Sequence, residues 1–146
     1  MPHARTQIRD AVVAALTGLA TTGPRVHASR MRPQDGASLP CLLVHANDTE
    51  QVEAADVDTE QQRDLPIVVR GFAKAVADLD DTLDQIALEV ETALALDPRL
   101  GGLCASSFLR SVDVDYDDTT NAPVGEIALT YQFTYHVHAG SPGTPV

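Results

Sequence analysis

Two segments of the chain repeat apolar residues at intervals of three and four. In residues 4–20 these positions are Ile8, Val12, Leu16 and Leu19. In residues 78–96 they are Leu79, Leu83, Ile86, Val90 and Leu94. Such spacing places each set on one face of an α-helix. Asp78 is a candidate N-cap, and the acids that follow it suit the positive end of a helix dipole. The sequence therefore predicts two amphipathic helices.

Four further segments have the pattern of β-strands. Residues 39–46 (LPCLLVHA) form an almost continuous apolar run, which is typical of a strand covered on both faces. Residues 65–74 (LPIVVRGFAK) predict another strand, in which Gly71 marks a bulge or a close backbone approach. Residues 107–116 alternate, with one predicted side made of Phe108, Arg110, Val112, Val114 and Tyr116.

The clearest alternation lies in residues 126–138. The side predicted to face inward comprises Ile127, Leu129, Tyr131, Phe133, Tyr135 and Val137. The side predicted to face outward comprises Glu126, Thr130, Gln132, Thr134, His136 and His138. One apolar and one polar side indicate a strand in a sheet with a single buried face. Residues 25–31 add a short polar strand of the edge type.

The segment from residue 47 to residue 64 (NDTEQVEAADVDTEQQRD), called the acidic arm below, contains seven acids and one base, Arg63. Its apolar residues form no helical face, so we expect a long loop; the alternative is that it extends the neighbouring strands into a hairpin. The C-terminal residues 140–146 (GSPGTPV) are rich in Gly and Pro, and we expect them to form a flexible tail.

The order of these elements predicts one domain over residues 1–139. Two helices and about five strands indicate the α+β class, with both helices packed on one face of a mostly antiparallel, mixed sheet. The opposite face then remains polar or meets a partner. The two cysteines, Cys41 and Cys104, stand in apolar surroundings and are predicted to be buried, reduced thiols.

The charge balance excludes some functions. The net charge is −11, and the longest basic cluster, from Arg25 to Arg32, is short and interrupted. Tight DNA binding needs a basic stripe to displace counterions from the phosphates, so it is not expected.

No apolar run reaches the roughly 18 residues of a membrane span, and the first ten residues lack the apolar region of a signal peptide. We therefore expect no membrane association, and we expect the protein to be made and used in the cytoplasm.

No motif predicts catalysis or a cofactor. The chain lacks a GxSxG elbow, a phosphate-binding glycine loop and an HExxH sequence. The acids from Asp113 to Asp117 fail the calcium-loop pattern, because Asp118 and Val124 stand where it requires Gly and Glu. His136 and His138 share a strand face at a spacing that can chelate a metal, but a solvated strand face is the simpler interpretation. We expect no catalytic residue, no metal and no cofactor.

The order of the segments along the chain and their patterns of residues resemble those of a known family. The segments concerned are ARTQIRDAVVAALTGLATTGPRVHASRMRP, PCLLVHANDTE, VVRGFAKAVADLDDTLDQIALEVETALALDPRLGGL and DVDYDDTTNAPVGEIALTYQFTYHV. Together they span residues 4 to 138 and look like the tail terminator proteins (the minor tail protein U-like family) of long-tailed phages, prophages and gene transfer agents. The resemblance rests on no catalytic signature.

The resemblance implies a structural virion protein at the head-proximal end of a tail. It implies a ring, usually of six copies, that caps the tail tube, stops its polymerisation and offers a surface to head-completion or neck proteins, while DNA only passes through the bore. The family's long loop corresponds to the acidic arm. The interface residues we expect are Asp48, Glu50, Glu53, Asp56, Asp58, Glu60, Arg63 and Arg70. On the polar sheet face, Asp113 and Asp115 are candidates for lining the DNA channel.

The sequence leaves two alternative functions open. The chain could be a different joining component, such as a neck adaptor or a tube protein. It could also be a cytosolic α+β module that binds a small molecule, which would form dimers or tetramers and would not cap tubes.

Overall fold

The computed structural model describes residues 1–28, 39–47, 49–54, 59–74, 77–117 and 124–146. Its helices are α1 (Ala4–Leu16) and α2 (Leu79–Ala95), followed by a short 3-10 turn at Leu100–Gly102. Its strands are β1 (Val26–His27), β2 (Cys41–Ala46), β3 (Gln51–Ala54), β4 (Glu60–Lys74), β5 (Ser106–Asp117), β6 (Val124–His138) and β7 (Ser141–Pro145). The predicted α+β class is confirmed, with seven strands in these ranges instead of about five.

All strands join one sheet. Its order is β1-β2-β4-β6-β5, with β3 paired to the beginning of β4 and β7 paired to the end of β6. Only β1 and β2 are parallel; the other pairs are antiparallel, so the sheet is mixed as predicted. The two long strands β4 and β6 pair along their whole length and form its centre. Strand β5 is at one edge.

Both helices pack on the same face of the sheet. The apolar faces of α1 and α2 share one core with inward residues of β2, β4 and β6. All six inward residues predicted for β6 are buried in this core. Helix α2 lies very close to the strands, since a Cβ atom at Gly71 would be 2.7 Å from Cγ2 of Ile86. At Gly125 it would be 2.7 Å from Cδ2 of Leu79. The close approach predicted at Gly71 is therefore confirmed.

The opposite face of the sheet is not purely polar, which corrects the sequence-based expectation. Cys41, Leu43 and Phe72 form a second, smaller buried cluster there, with Leu39 and Val124 packed against it. The continuous apolar run of β2 explains this cluster, because its alternate residues supply both cores. Both cysteines are buried and free, as predicted.

Helix α1 ends earlier than the sequence pattern indicated. Thr17 has an extended backbone, and Gly18 follows with φ +93°. Glycine adopts such a left-handed conformation at little cost, so it favours the end of a helix. Leu19 then pairs with Gly23 in an isolated bridge. Helix α2 has Asp78 at its N-cap position as predicted, although the Asp78 side chain makes no capping hydrogen bond.

A bulge in β5 corrects the predicted sidedness of that strand. The register against β6 shifts between Leu109 and Ser111. Because one extra residue reverses the alternation, Phe108 lies opposite Gln132 on the face away from the helices, whereas Val112 lies opposite Leu129 on the helix face.

The C-terminal residues form a strand, whereas the sequence predicted a flexible tail. Strand β7 pairs with β6, and the Val146 amide donates to the carbonyl of His136 at 2.9 Å. The Gln7 side chain donates to the carbonyls of Gly143 (2.7 Å) and Pro2 (2.9 Å), which holds both chain ends together. A composition rich in Gly and Pro does not reveal these hydrogen-bond partners. No helix in the described ranges is long and apolar enough to cross a bilayer.

Candidate interaction surfaces

The acidic arm is a hairpin in the residues that the structure describes. Gln51–Ala54 pairs with the first part of β4, so that Gln51 lies opposite Asp64 and Ala54 opposite Gln61. The hairpin alternative is thus confirmed and the structureless loop is wrong for these residues. All four residues of β3 are exposed, including Glu53. Asp48, Asp56 and Asp58 lie outside the described residues.

Glu50 fixes the base of the arm to the domain. Its carboxylate accepts hydrogen bonds from Nη1 of Arg5 at 2.9 Å and from the hydroxyl of Tyr135. Arg63 Nη1 is 3.5 Å from the same carboxylate, and its guanidinium also contacts His3 and Gln61. The Glu50 side chain is only 9% exposed. Helix α1, the arm and the central strand β6 therefore meet at one carboxylate.

The surroundings of Glu50 shift two pKa values. Burial and the hydrogen bond to Glu50 raise the pKa of Tyr135 well above its usual range, so the tyrosine stays a donor. Burial, with the charges of Arg5 and Arg63, lowers the pKa of His3. Neutral His3 Nδ1 accepts the amide of Arg5 at the start of α1. Of the predicted interface residues, Glu50 and Arg63 thus already have partners within the chain.

A second ion pair lies on the sheet face away from the helices. Nε of Arg70 donates to the carboxylate of Glu126, which is buried, and the guanidinium stacks 5.1 Å from the ring centre of Phe72. On the same face, Asp113 lies opposite Ala128 and Asp115 opposite Glu126, both on exposed positions of β5. The register thus places both acids on the sheet face away from the helices.

His136 and His138 lie on the same face at the far end of β6. They stand opposite Gln62 and Glu60, respectively, in the β4 register. Across the ranges that the structure describes, no three His, Cys, Asp or Glu side chains gather in a way that could hold a metal ion. The two histidines and the half-buried Glu60 are thus part of a polar strand surface.

The helix face of β5 carries an apolar strip that the two helices leave partly exposed. Val112, Val114 and Tyr116 lie on this face and are 46%, 49% and 51% exposed, whereas their neighbours Leu129 and Ile127 on β6 are buried. The Tyr116 hydroxyl donates to Asp80 on α2, and this hydrogen bond raises the pKa of Tyr116. The sequence showed the alternation of β5 but not its exposure, because exposure depends on where the helices lie.

The comparisons with known proteins agree with this architecture. The model of the family described as phage minor tail protein U matches residues 3–135. A chain from a solved structure titled "Virion of native gene transfer agent (GTA) particle" is similar in fold, with a TM-score of 0.57 and 19% sequence identity over 92% of each chain. The search of curated proteins found no match. Because the family match covers nearly the whole domain, this chain belongs to the phage minor tail protein U family and is a structural, tail-related virion protein.

Proposed function

We propose that this protein is a tail terminator: a non-enzymatic subunit that forms a ring on the head-proximal end of the tail tube. The ring, with six copies, stops tube polymerisation and presents a new surface to head-completion or neck proteins. The observation that carries the proposal is the family match over residues 3–135, which includes both helices and nearly all of the central sheet.

The distribution of surfaces supports this role. A cap needs one surface that fits the tube and a different one that the next tube subunit cannot use. A ring needs in addition a head-to-tail contact between copies, which closes only when the rotation per subunit fits. The exposed part of the acidic arm and the edge of β5 lie on opposite sides of the central pair β4 and β6. One molecule can therefore contact two neighbours at once.

We assign the contact with the tube or with the neighbouring copy to the acidic arm. Glu53 is exposed on β3 and Glu60 is half-buried at the start of β4. Glu50 and Arg63 act indirectly, because they hold the arm against α1 and β6. Arg70 acts indirectly as well, because its ion pair with the buried Glu126 links β4 to β6.

The decisive experiment measures tube length. Purified tube protein is allowed to polymerise alone and with this chain, and tube lengths and end structures are recorded by electron microscopy. We expect capped tubes with six-fold rings at one end and a stop in growth. Uncapped tubes that grow at the same rate with and without the protein would contradict the terminator role.

A pair of charge variants locates the contact. Glu53→Lys with Glu60→Lys is expected to reduce capping by about tenfold or more, since two carboxylates of the arm are reversed. The matched control is Asp10→Lys with Glu91→Lys, which makes the same change in net charge at exposed positions of α1 and α2. Equal loss in both variants would assign the effect to overall charge and not to the arm.

A further inference from the structure

We propose that the outer edge of β5, which pairs with no other strand in the described ranges, binds an extended segment of a different protein, in which apolar and basic residues alternate. The segment adds to the sheet as a further strand beside β5. This inference goes beyond the terminator role and does not require a ring, because it concerns the edge of a single chain.

The backbone of β5 offers the first part of the site. The strand is 12 residues long and ends the sheet order, with β6 as its hydrogen-bonded neighbour. An edge strand has backbone N–H and C=O groups on its open side, which pair readily with another extended chain. At the other edge of the sheet, β1 has only two residues, so β5 presents a much longer pairing surface.

The side chains of β5 determine what kind of strand fits. On the helix face, Val112, Val114 and Tyr116 remain about half exposed, which is unusual beside a fully buried row on β6. Apolar side chains of an added strand would lie next to them and remove this surface from water. On the other face, Asp113 and Asp115 are exposed at the intervening positions. Side chains opposite them on an added strand would be basic.

The same acids argue against a second copy of β5 as the occupant. Two copies paired through their β5 edges would bring Asp113 and Asp115 close to the same residues of the partner. Like charges across strands are destabilising, and acidic side chains on an edge strand are a known protection against self-pairing. Asp80 on α2, which contacts Tyr116, adds further negative charge beside the strip. Charge complementarity therefore favours a basic strand from another protein.

This assignment competes with the expectation that Asp113 and Asp115 line the DNA channel. A carboxylate beside a docked strand is covered, whereas a carboxylate in the bore faces water and DNA. A basic strand docked at this edge would neutralise both carboxylates, so its binding would count against the channel role.

The experiment uses the full chain, labelled with ¹⁵N, and two nine-residue peptides that alternate Val with Lys or Val with Glu. We expect the Lys peptide to shift the amide resonances of residues 106–117 and to bind roughly tenfold more tightly than the Glu peptide. The double variant Asp113→Lys with Asp115→Lys is expected to reverse this preference. Both positions are exposed, so the variant should remain folded, which its unchanged core resonances would verify.

A control separates the site from general attraction to an acidic protein. Asp10→Lys with Ala14→Lys and Ala15→Lys changes the net charge by the same amount at exposed positions of α1, and it should leave the Lys peptide's affinity for the β5 edge within about twofold. Equal weakening in both variants, shifts that avoid residues 106–117, or no binding of either peptide would overturn the proposal. Shifts of the β5 amides that depend only on protein concentration would also overturn it, because they would identify a second copy as the occupant. Failure of tube capping would leave this result unaffected.

Discussion

Glu50 is the residue on which the position of the acidic arm depends most directly. It accepts hydrogen bonds from Arg5 and Tyr135 and lies beside Arg63, while its own side chain is nearly buried. Replacing Glu50 with Gln keeps the size but removes the charge that compensates Arg63. We expect a loss of about 1–3 kcal/mol in the free energy of unfolding, because a largely buried cation loses its partner. Chemical denaturation measures this loss.

Glu53 provides a matched control for that substitution, since it belongs to the same arm but is exposed. Glu53→Gln is expected to change the free energy of unfolding by less than about 0.5 kcal/mol. Hydrogen exchange adds a local measurement: the amides of β3 should exchange faster in Glu50→Gln and at the normal rate in Glu53→Gln. If both variants behave alike, the arm is held by its strand pairing and not by Glu50.

At the scale of elements, the contact between α2 and the sheet depends on two glycines. A methyl group at Gly71 would meet Ile86 at 2.7 Å, which requires the helix or the strand to move. Gly71→Ala is therefore expected to destabilise the protein by about 1–3 kcal/mol, although alanine is otherwise well tolerated in a strand. In an Ile86→Ala background the same substitution should cost less, because the obstructing atom is gone. A double-mutant cycle measured by thermal or urea unfolding tests this, and purely additive effects would contradict it.

The same elements show how much of the fold the sequence could predict. Period-two alternation in β6 and the helical stripe of α2 were sufficient to place their buried residues, because each pattern repeats over many residues. The bulge in β5 could not be predicted from Phe108 and Arg110, because the alternation in the sequence continues through that position. Strand β7 was missed for another reason: its composition is typical of a flexible tail, and Gln7, which contacts Gly143, lies at the other end of the chain.

The interaction surfaces were predicted less well than the core. Composition located the acidic arm, but it could not separate Glu50, which acts inside the domain, from Glu53, which faces solvent. Both are acids in a polar segment, and only the position of Arg5 and Tyr135 distinguishes them. The exposed strip of β5 likewise depends on how far α2 reaches across the sheet, which no local pattern encodes.

At the scale of the whole molecule, the negative charge affects two kinds of association in opposite ways. It opposes contacts between copies and favours contacts with a cationic partner. Six copies of a chain with a net charge of −11 would carry about −66. Salt shortens the Debye length from about 10 Å at 0.1 M to about 3 Å at 1 M, so it weakens repulsion between copies. We therefore expect self-association into rings to strengthen by several fold between about 0.1 and 0.5 M salt, measured by sedimentation velocity.

Binding of a basic strand at β5 must respond to salt in the opposite way, because screening there weakens an attraction. The sign of the salt effect thus separates contacts between copies from contacts with a cationic partner in one protein preparation. Asp10→Lys with Ala14→Lys and Ala15→Lys lowers the repulsion between copies. It should therefore flatten the salt dependence of self-association and leave the salt dependence of peptide binding in place. Rings that dissociate as salt rises would mean that ion pairs join the copies. The arginines beside the acidic arm would then be the first residues to replace.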